Sequence, residues 1–214
     1  KAYLIRAASD LGDTYYVSVD GNDTNPGTSE AEAWKTITYA ASSAGPVGAG
    51  DVVYIKAGNY GNEHVAFEIS GNDSLPILFA GYQTTPGDSP NLNHNFGDDL
   101  DSTIMPLLDG NNRDSGDVAI TLYSQQYITL KNFQITNYEA GIDGWNASNI
   151  ILDNIIATAF GSADSSYSGS GISFSTDENG NGGHHNKLSN CFVENAAAEG
   201  FSIVGNHNEL YHCT

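Results

Sequence analysis

Apolar and polar positions in this chain recur at a fixed step. His185-Asn186-Lys187-Leu188-Ser189-Asn190-Cys191 returns 22 residues later as His207-Asn208-Glu209-Leu210-Tyr211-His212-Cys213. Tyr127-Ile128-Thr129-Leu130-Lys131-Asn132-Phe133 returns, again after 22 residues, as Asn149-Ile150-Ile151-Leu152-Asp153-Asn154-Ile155. Aligned, the four segments give a leucine column (Leu130, Leu152, Leu188, Leu210), an asparagine column (Asn132, Asn154, Asn190, His212) and an apolar column (Phe133, Ile155, Cys191, Cys213). The step from Leu152 to Leu188 is 36 residues, one period plus a 14-residue insertion. A period in the low twenties, with one short apolar strand and one Asn corner per repeat, predicts a coiled β-solenoid in which each repeat is one turn. Its columns stack side chains at about 4.8 Å, with the apolar ones facing the axis. Asn suits the corner because it tolerates left-handed backbone and its amide bonds along a stack. A leucine-rich repeat is the competing solenoid, but it needs several spaced leucines per turn, which these repeats lack. The expected fold is all-β, a right-handed parallel β-helix with coils of ~22 residues and a short N-terminal capping helix.

Three segments follow from the pattern: residues 1–14 as an arm or linker, 15–103 as cap and first coils, and 104–214 as regular coils. Tyr15–Val19 alternates as a strand, and Asp20–Thr28 is a dense turn signal. Trp34, Ile37 and Ala41 fall at helical spacing within Ala33–Ser43, ended by Gly45-Pro46. Strands are expected at Val52–Lys56, Val65–Ile69 and Ile77–Phe79, before a polar loop over Thr84–Ser102. Beyond it they become regular: Ile104–Leu108, Val118–Leu122, Tyr127–Leu130, Gln134-Ile135, Ile150–Leu152, Ile172–Phe174, Leu188-Ser189, Phe201–Val204 and Leu210-Tyr211. Gly161–Gly171 and Thr176–Gly183 should bulge from the coil as loops.

Charge narrows the partners. Twenty-six acidic residues against seven basic ones give a formal net charge of −19, which argues against nucleic acid and anionic membrane surfaces. No apolar run is long enough to cross a bilayer. The Gly, Asn, Asp, Ser and Thr content suits a loop-rich β protein outside the cell. The chain lacks an initiator Met and a signal peptide, so the expectation is that it begins after processing or inside a longer protein. Cys213-Thr214 falls inside a repeat. The last rung is therefore expected to be covered, either by further chain or by self-association, with the apolar arm Ala2–Ile5 as one candidate cover.

Tyr15-Tyr16-Val17-Ser18, Asp20-Gly21-Asn22-Asp23, Asn25-Pro26-Gly27-Thr28, Trp34-Lys35-Thr36-Ile37, Gly50-Asp51-Val52-Val53-Tyr54-Ile55 and Gly58-Asn59-Tyr60 together resemble the opening of secreted right-handed β-helix proteins, notably family-nine pectate lyases and their chondroitin and alginate lyase relatives. Met105-Pro106-Leu107-Leu108-Asp109-Gly110 resembles a later strand of the same proteins. The resemblance implies that this opening caps the coil, with Trp34 and Ile37 closing its axis. It also implies elimination chemistry on an acidic polysaccharide, with a lysine base and Ca2+ bridging protein and substrate. Glu199-Gly200-Phe201-Ser202-Ile203-Val204 resembles the acidic-Gly-Phe motif that precedes the catalytic lysine, but Val204 stands at the lysine position. The function classes left open are an acidic-polysaccharide-directed, lyase-like protein and a non-catalytic surface rod such as a filament, sheath, fibre or adhesin subunit.

The candidate site residues follow from this reading. Glu199, Asp177 and Glu178 are calcium candidates, set against solvated residues and ordinary Asx turns. Asp20–Asn25 is another oxygen-rich turn, and Asp98, Asp99 and Asp101 read as a charged loop. His184, His185, His207 and His212 cluster on the late rungs, as a metal site or base or else as stacked corner residues. Cys191 and Cys213 share a column on successive rungs, which admits a disulfide by separation, or two free thiols filling the column. Three Asn-x-Ser/Thr matches, at Asn22, Asn72 and Asn146, are expected by chance in so Asn-rich a chain.

Overall fold

A computed structural model describes residues 12–214, except 92, 113–115 and 162–168. The arm Ala2–Ile5 and most of the Gly161–Gly171 insertion lie outside the described residues. The chain winds as a parallel β-helix, one short strand per face and coil. Strands β1 (Thr14–Val17) and β2 (Val52–Lys56) flank the cap helix α1 (Ile37–Ala41), and β3 (Asn59–Gly61) and β4 (Val65–Ala66) complete the first coil. The next coil is β5 (Ile77–Tyr82), β6 (Leu107–Asp109) and β7 (Val118–Thr121). The two long strands β8 (Ile128–Thr136) and β10 (Ile151–Phe160) each serve two faces and are followed by β9 (Ala140–Trp145) and β11 (Ile172–Ser175). The last coils are β12 (Lys187–Ser189), β13 (Phe192–Ala196), β14 (Phe201–Ile203) and β15 (Glu209–Tyr211).

Every pairing between these strands is parallel, as a coil requires, and the register is continuous except at β3–β6, where it shifts between Asn59 and Gly61. Face A is β1-β2-β5-β8-β10-β12-β15. Face B joins β3, β6, β13 and the second halves of β8 and β10, and face C is β4-β7-β9-β11-β14. The leucine column is real: Phe79, Leu130, Leu152, Leu188 and Leu210 pair one above another. Leu152 is fully buried, whereas Leu210 in β15 is 47% exposed. Phe133, Ile155 and Cys191 are buried beside them and Cys213 is half-buried.

The corners explain the polar columns. Asn132, Asn154, Asn190 and His212 all sit at left-handed φ, 61°, 56°, 54° and 53°. Asn154 Nδ2 donates to Asn132 Oδ1 at 2.9 Å, and Asn132 Nδ2 donates to the Gly81 carbonyl at 2.8 Å. The ladder then breaks, because Asn190 Nδ2 donates to Asp153 instead. A second corner column is Tyr127, Asn149, His185 and His207, again all left-handed. A third is Asn137, Ala159 and Asn195, at φ 60°, 62° and 55°. Ala159 is the misfit, since a left-handed Ala costs roughly 1–2 kcal/mol. Ala159→Asn should therefore raise the stability measured by urea denaturation by about 1 kcal/mol.

The expected helix over Ala33–Ser43 is only five residues long. Its first turn is lost because Trp34 is drawn into strand geometry, donating from N to Tyr16 O and accepting Ser18 N, both at 2.9 Å. Asp23 then receives Lys35 N, Thr36 N and the Thr36 hydroxyl at 2.8–2.9 Å, fixing the helix entry. The oxygen-rich turn around Asp23 is thus occupied by its own chain. Three strands, β3, β9 and β13, were not expected, and the strand expected over Val65–Ile69 shortens to β4. Residues 83–106 leave the coil between β5 and β6 and reach across three rungs, where Glu194 Oε2 accepts Gly97 N at 3.0 Å. His94 Nε2 lies 3.5 Å from Glu194 Oε1, with both side chains buried.

Candidate functional site

Face C is the side around which the expected site residues Glu199, Asp177 and Glu178 fall. Its inward positions are Ile120, Ile142 and Ile172, all buried. The alternate residues point outward, since successive side chains of a strand face opposite sides. One outward column is Thr121, Asp143, Ser173 and Ser202, paired rung on rung. The next contains Trp145 paired with Ser175. Tyr123 precedes Trp145 by one period, and the register is carried through by Leu122 N to Asp143 O at 2.8 Å and Ser124 N to Trp145 O at 2.9 Å. Gly144 faces inward because the Phe174 ring occupies the space where a Cβ would stand, 2.3 Å away.

Tyr123 and Trp145 are each 45% exposed. Their ring centroids lie 6.3 Å apart with the planes at 85°, so the two rings make a right-angled corner open to solvent. Asp143 is built into its base. The Tyr123 hydroxyl donates to Asp143 Oδ2 at 2.8 Å and the Ser173 hydroxyl to Oδ1 at 3.2 Å. Burial, then the bond to Asp143, pushes the Tyr123 phenol up to about 12.

The residues singled out in the sequence fall around this face without converging. Glu199 is exposed just before β14, and its carbonyl accepts Gly171 N at 2.9 Å. Asp177 closes its own turn. Its carboxylate takes Asn179 N, Asn181 N and Asn181 Nδ2 at 2.7–2.9 Å, which holds it below the usual carboxylate range. Glu178 is exposed beside it. Among the described residues no three His, Cys, Asp or Glu side chains are gathered to hold a metal ion. Val204, 53% exposed, follows β14 with its N–H bonded to Phe174 O, in the outward column of Trp145 and Ser175.

The histidines organise a corner. His185 and His207 stack at 4.8 Å with planes 3° apart, and His184 Nδ1 accepts Asn206 N at 2.8 Å. Cys191 and Cys213 are free thiols. Hydrogen bonding between them raises the Cys191 thiol and lowers that of Cys213. A groove of about 560 Å³ runs elsewhere, at the A/B corner beneath the 83–106 loop, lined by Lys131, Asn154 and Asn190 among others. Several of its polar groups are engaged: Asp153 takes Ser189 and Asn190 and lies 3.4 Å from Lys131.

The sequence reasoning missed Tyr123, Trp145 and Asp143. The signal was present, because Tyr123 and Trp145 are one 22-residue period apart.

Fold and corner ladders define a right-handed parallel β-helix of the kind found in polysaccharide-degrading proteins. Over residues 19–212 the chain matches the family "Protein of unknown function (DUF1565)", and it belongs to that family. It is 34% identical over 146 residues to a lacto-N-biosidase of Bifidobacterium longum subsp. longum, a stretch covering 63% of this chain and 9% of that protein. Among solved structures, pectate lyase Pel9A superposes with a TM-score of 0.64 at 17% identity, over 96% of this chain and 48% of that one. A GH136 lacto-N-biosidase from Eubacterium ramulus does so with a TM-score of 0.57 at 18% identity, over 85% and 34%. The chain thus spans about a tenth of the curated relative's length and a third to a half of these structures.

Proposed function

We propose that this chain is the glycan-contacting segment of an extracellular carbohydrate-active protein, with face C as its carbohydrate surface. One observation carries the reading: two large aromatic rings stand exposed at a right angle beside a fixed carboxylate. They rise from a sheet face whose outward positions include Thr121, Ser173, Ser175, Ser202 and the exposed Val204. Exposed aromatic area on a rigid scaffold is characteristic of recognition surfaces, and sugars present C–H faces that stack on rings and hydroxyls that bond carboxylates. The relative named lacto-N-biosidase supports a carbohydrate role, and the acidic, Asn- and Gly-rich composition supports a place outside the cell.

Binding is tested by native gel electrophoresis in soluble pectate, alginate, galactan, xylan and mannan. At least one polysaccharide should retard the protein, and the Tyr123→Ala, Trp145→Ala double variant should migrate freely. Unretarded migration in all five would overturn the reading. Elimination is not expected of this chain, because the outward position that resembles the lyase base is Val204. Incubation with pectate, alginate or chondroitin sulfate, with or without Ca2+, should yield no unsaturated product absorbing in the near-ultraviolet above a heat-killed control. Such a product would refute that expectation while leaving binding intact.

A further inference from the structure

We infer that the sugar seated at the Tyr123–Trp145 corner is uncharged and that Asp143 selects it, an inference that rests on reading face C as the glycan surface. The corner itself sets the ligand's shape. Its rings stand at 85° on successive coils, about 4.8 Å apart along the axis. One ring can lie flat against the C–H face of a single pyranose while the other meets its rim. Asp143 lies two residues before Trp145 on the same strand, hence on the same outward side. Its carboxylate is held by Tyr123 and Ser173 and can only accept further hydrogen bonds. A ligand here must therefore bring donors, which are hydroxyls or amide N–H groups.

Charge decides the class. Strands β4, β7, β9, β11 and β14 contain Asp143 and no lysine or arginine. Acids bordering the face, Glu68, Asp117, Glu139, Asp177 and Glu199, carry the same sign as Asp143, and His64 at its edge lies 3.6 Å from Asp117. Lys131 and Lys187 belong to face A, where they lie 3.4 Å from Asp153 and 3.7 Å from Glu209. A uronate placed at the corner would bring its carboxylate against Asp143 with no described cation on those strands to offset it. An uncharged pyranose meets only an acceptor for its hydroxyls. Beyond the corner, Ser173, Ser175 and Ser202 line a track of small hydroxyl side chains along the axis for neighbouring sugars, which ends at the exposed Val204.

The chain has two tryptophans. Trp34 is 1% exposed, so a ligand-induced change in indole emission reports Trp145. The full chain is titrated at low salt with galacto-, xylo- and N-acetylated oligosaccharides, and in parallel with oligogalacturonates with and without Ca2+. The expected result is a saturable emission change with an uncharged series and binding weaker by roughly tenfold or more for oligogalacturonate. Calorimetry on Trp145→Ala should show the binding gone with the far-ultraviolet dichroism unchanged, and Asp143→Asn should narrow the preference between the two classes. Oligogalacturonate binding as tightly as the uncharged series, but lost in Trp145→Ala, would overturn the uncharged assignment and leave the glycan face standing. No response to any oligosaccharide, or binding that survives both Trp145→Ala and Tyr123→Ala, would overturn both.

Discussion

Leu152→Ala is expected to lower the free energy of unfolding by about 2–5 kcal/mol, the cost of a cavity in a fully enclosed leucine site. Leu152 is fully buried, with Leu130 on one side in the column and Leu188 on the other. In a solenoid each coil leans only on its neighbours, so a void in the middle of the column weakens the contacts above and below together. Leu210 occupies the same column one rung past Leu188 but is 47% exposed. Leu210→Ala should therefore cost less than about 1 kcal/mol, since little apolar area returns to water. Urea denaturation followed by circular dichroism measures both. Equal losses at the two positions would mean that the column is not a packed stack.

At the other end of the coil, Trp34→Ala is expected to cost about 3–5 kcal/mol. Trp34 is 1% exposed, stacks on Tyr15 at 4.8 Å and meets Tyr39 edge-on at 5.3 Å. Its indole N–H donates to the Asn25 carbonyl at 2.9 Å, tying the loop before the helix to the cap. Removing the ring opens the apolar axis to water and leaves that carbonyl without its donor. Trp34→Phe keeps an aromatic plug while giving up the hydrogen bond, so it should lose distinctly less. A Trp34→Ala protein as stable as the parent would show that the opening segment does not seal the coil.

The corner residues show why the fold was legible. Each Asn or His of the columns sits where the chain turns with left-handed φ, a backbone state most side chains avoid. Stacking in register repeats that demand every 22 residues, so it is written into the sequence. The same rule hid the helix boundary, because the helical spacing of Trp34, Ile37 and Ala41 competes with the backbone bonds that pull Trp34 alongside β1. Local periodicity cannot weigh that tertiary pairing. It also left β3, β9 and β13 unseen: Gly61, Gly141, Gly144 and Glu194 interrupt their apolar alternation, and the neighbouring coils hold them in strand geometry regardless.

What the sequence determined by itself is therefore the coil: its period, its leucine column, its left-handed corners and the aromatic plug at its start. These depend on side-chain type at a fixed spacing, and parallel in-register pairing turns fixed spacing into contact. What only the tertiary structure decided is which outward positions act together. Tyr123 and Trp145 share the 22-residue step, but their right-angled exposure over Asp143 depends on the bonds Asp143 makes to Tyr123 and Ser173 and on the small Ser175 paired with Trp145. The tie between the 83–106 loop and Glu194 joins residues about a hundred positions apart with no period between them. A strand's pattern states which residues leave the core; what they meet outside depends on loops and neighbouring rungs that no repeat encodes.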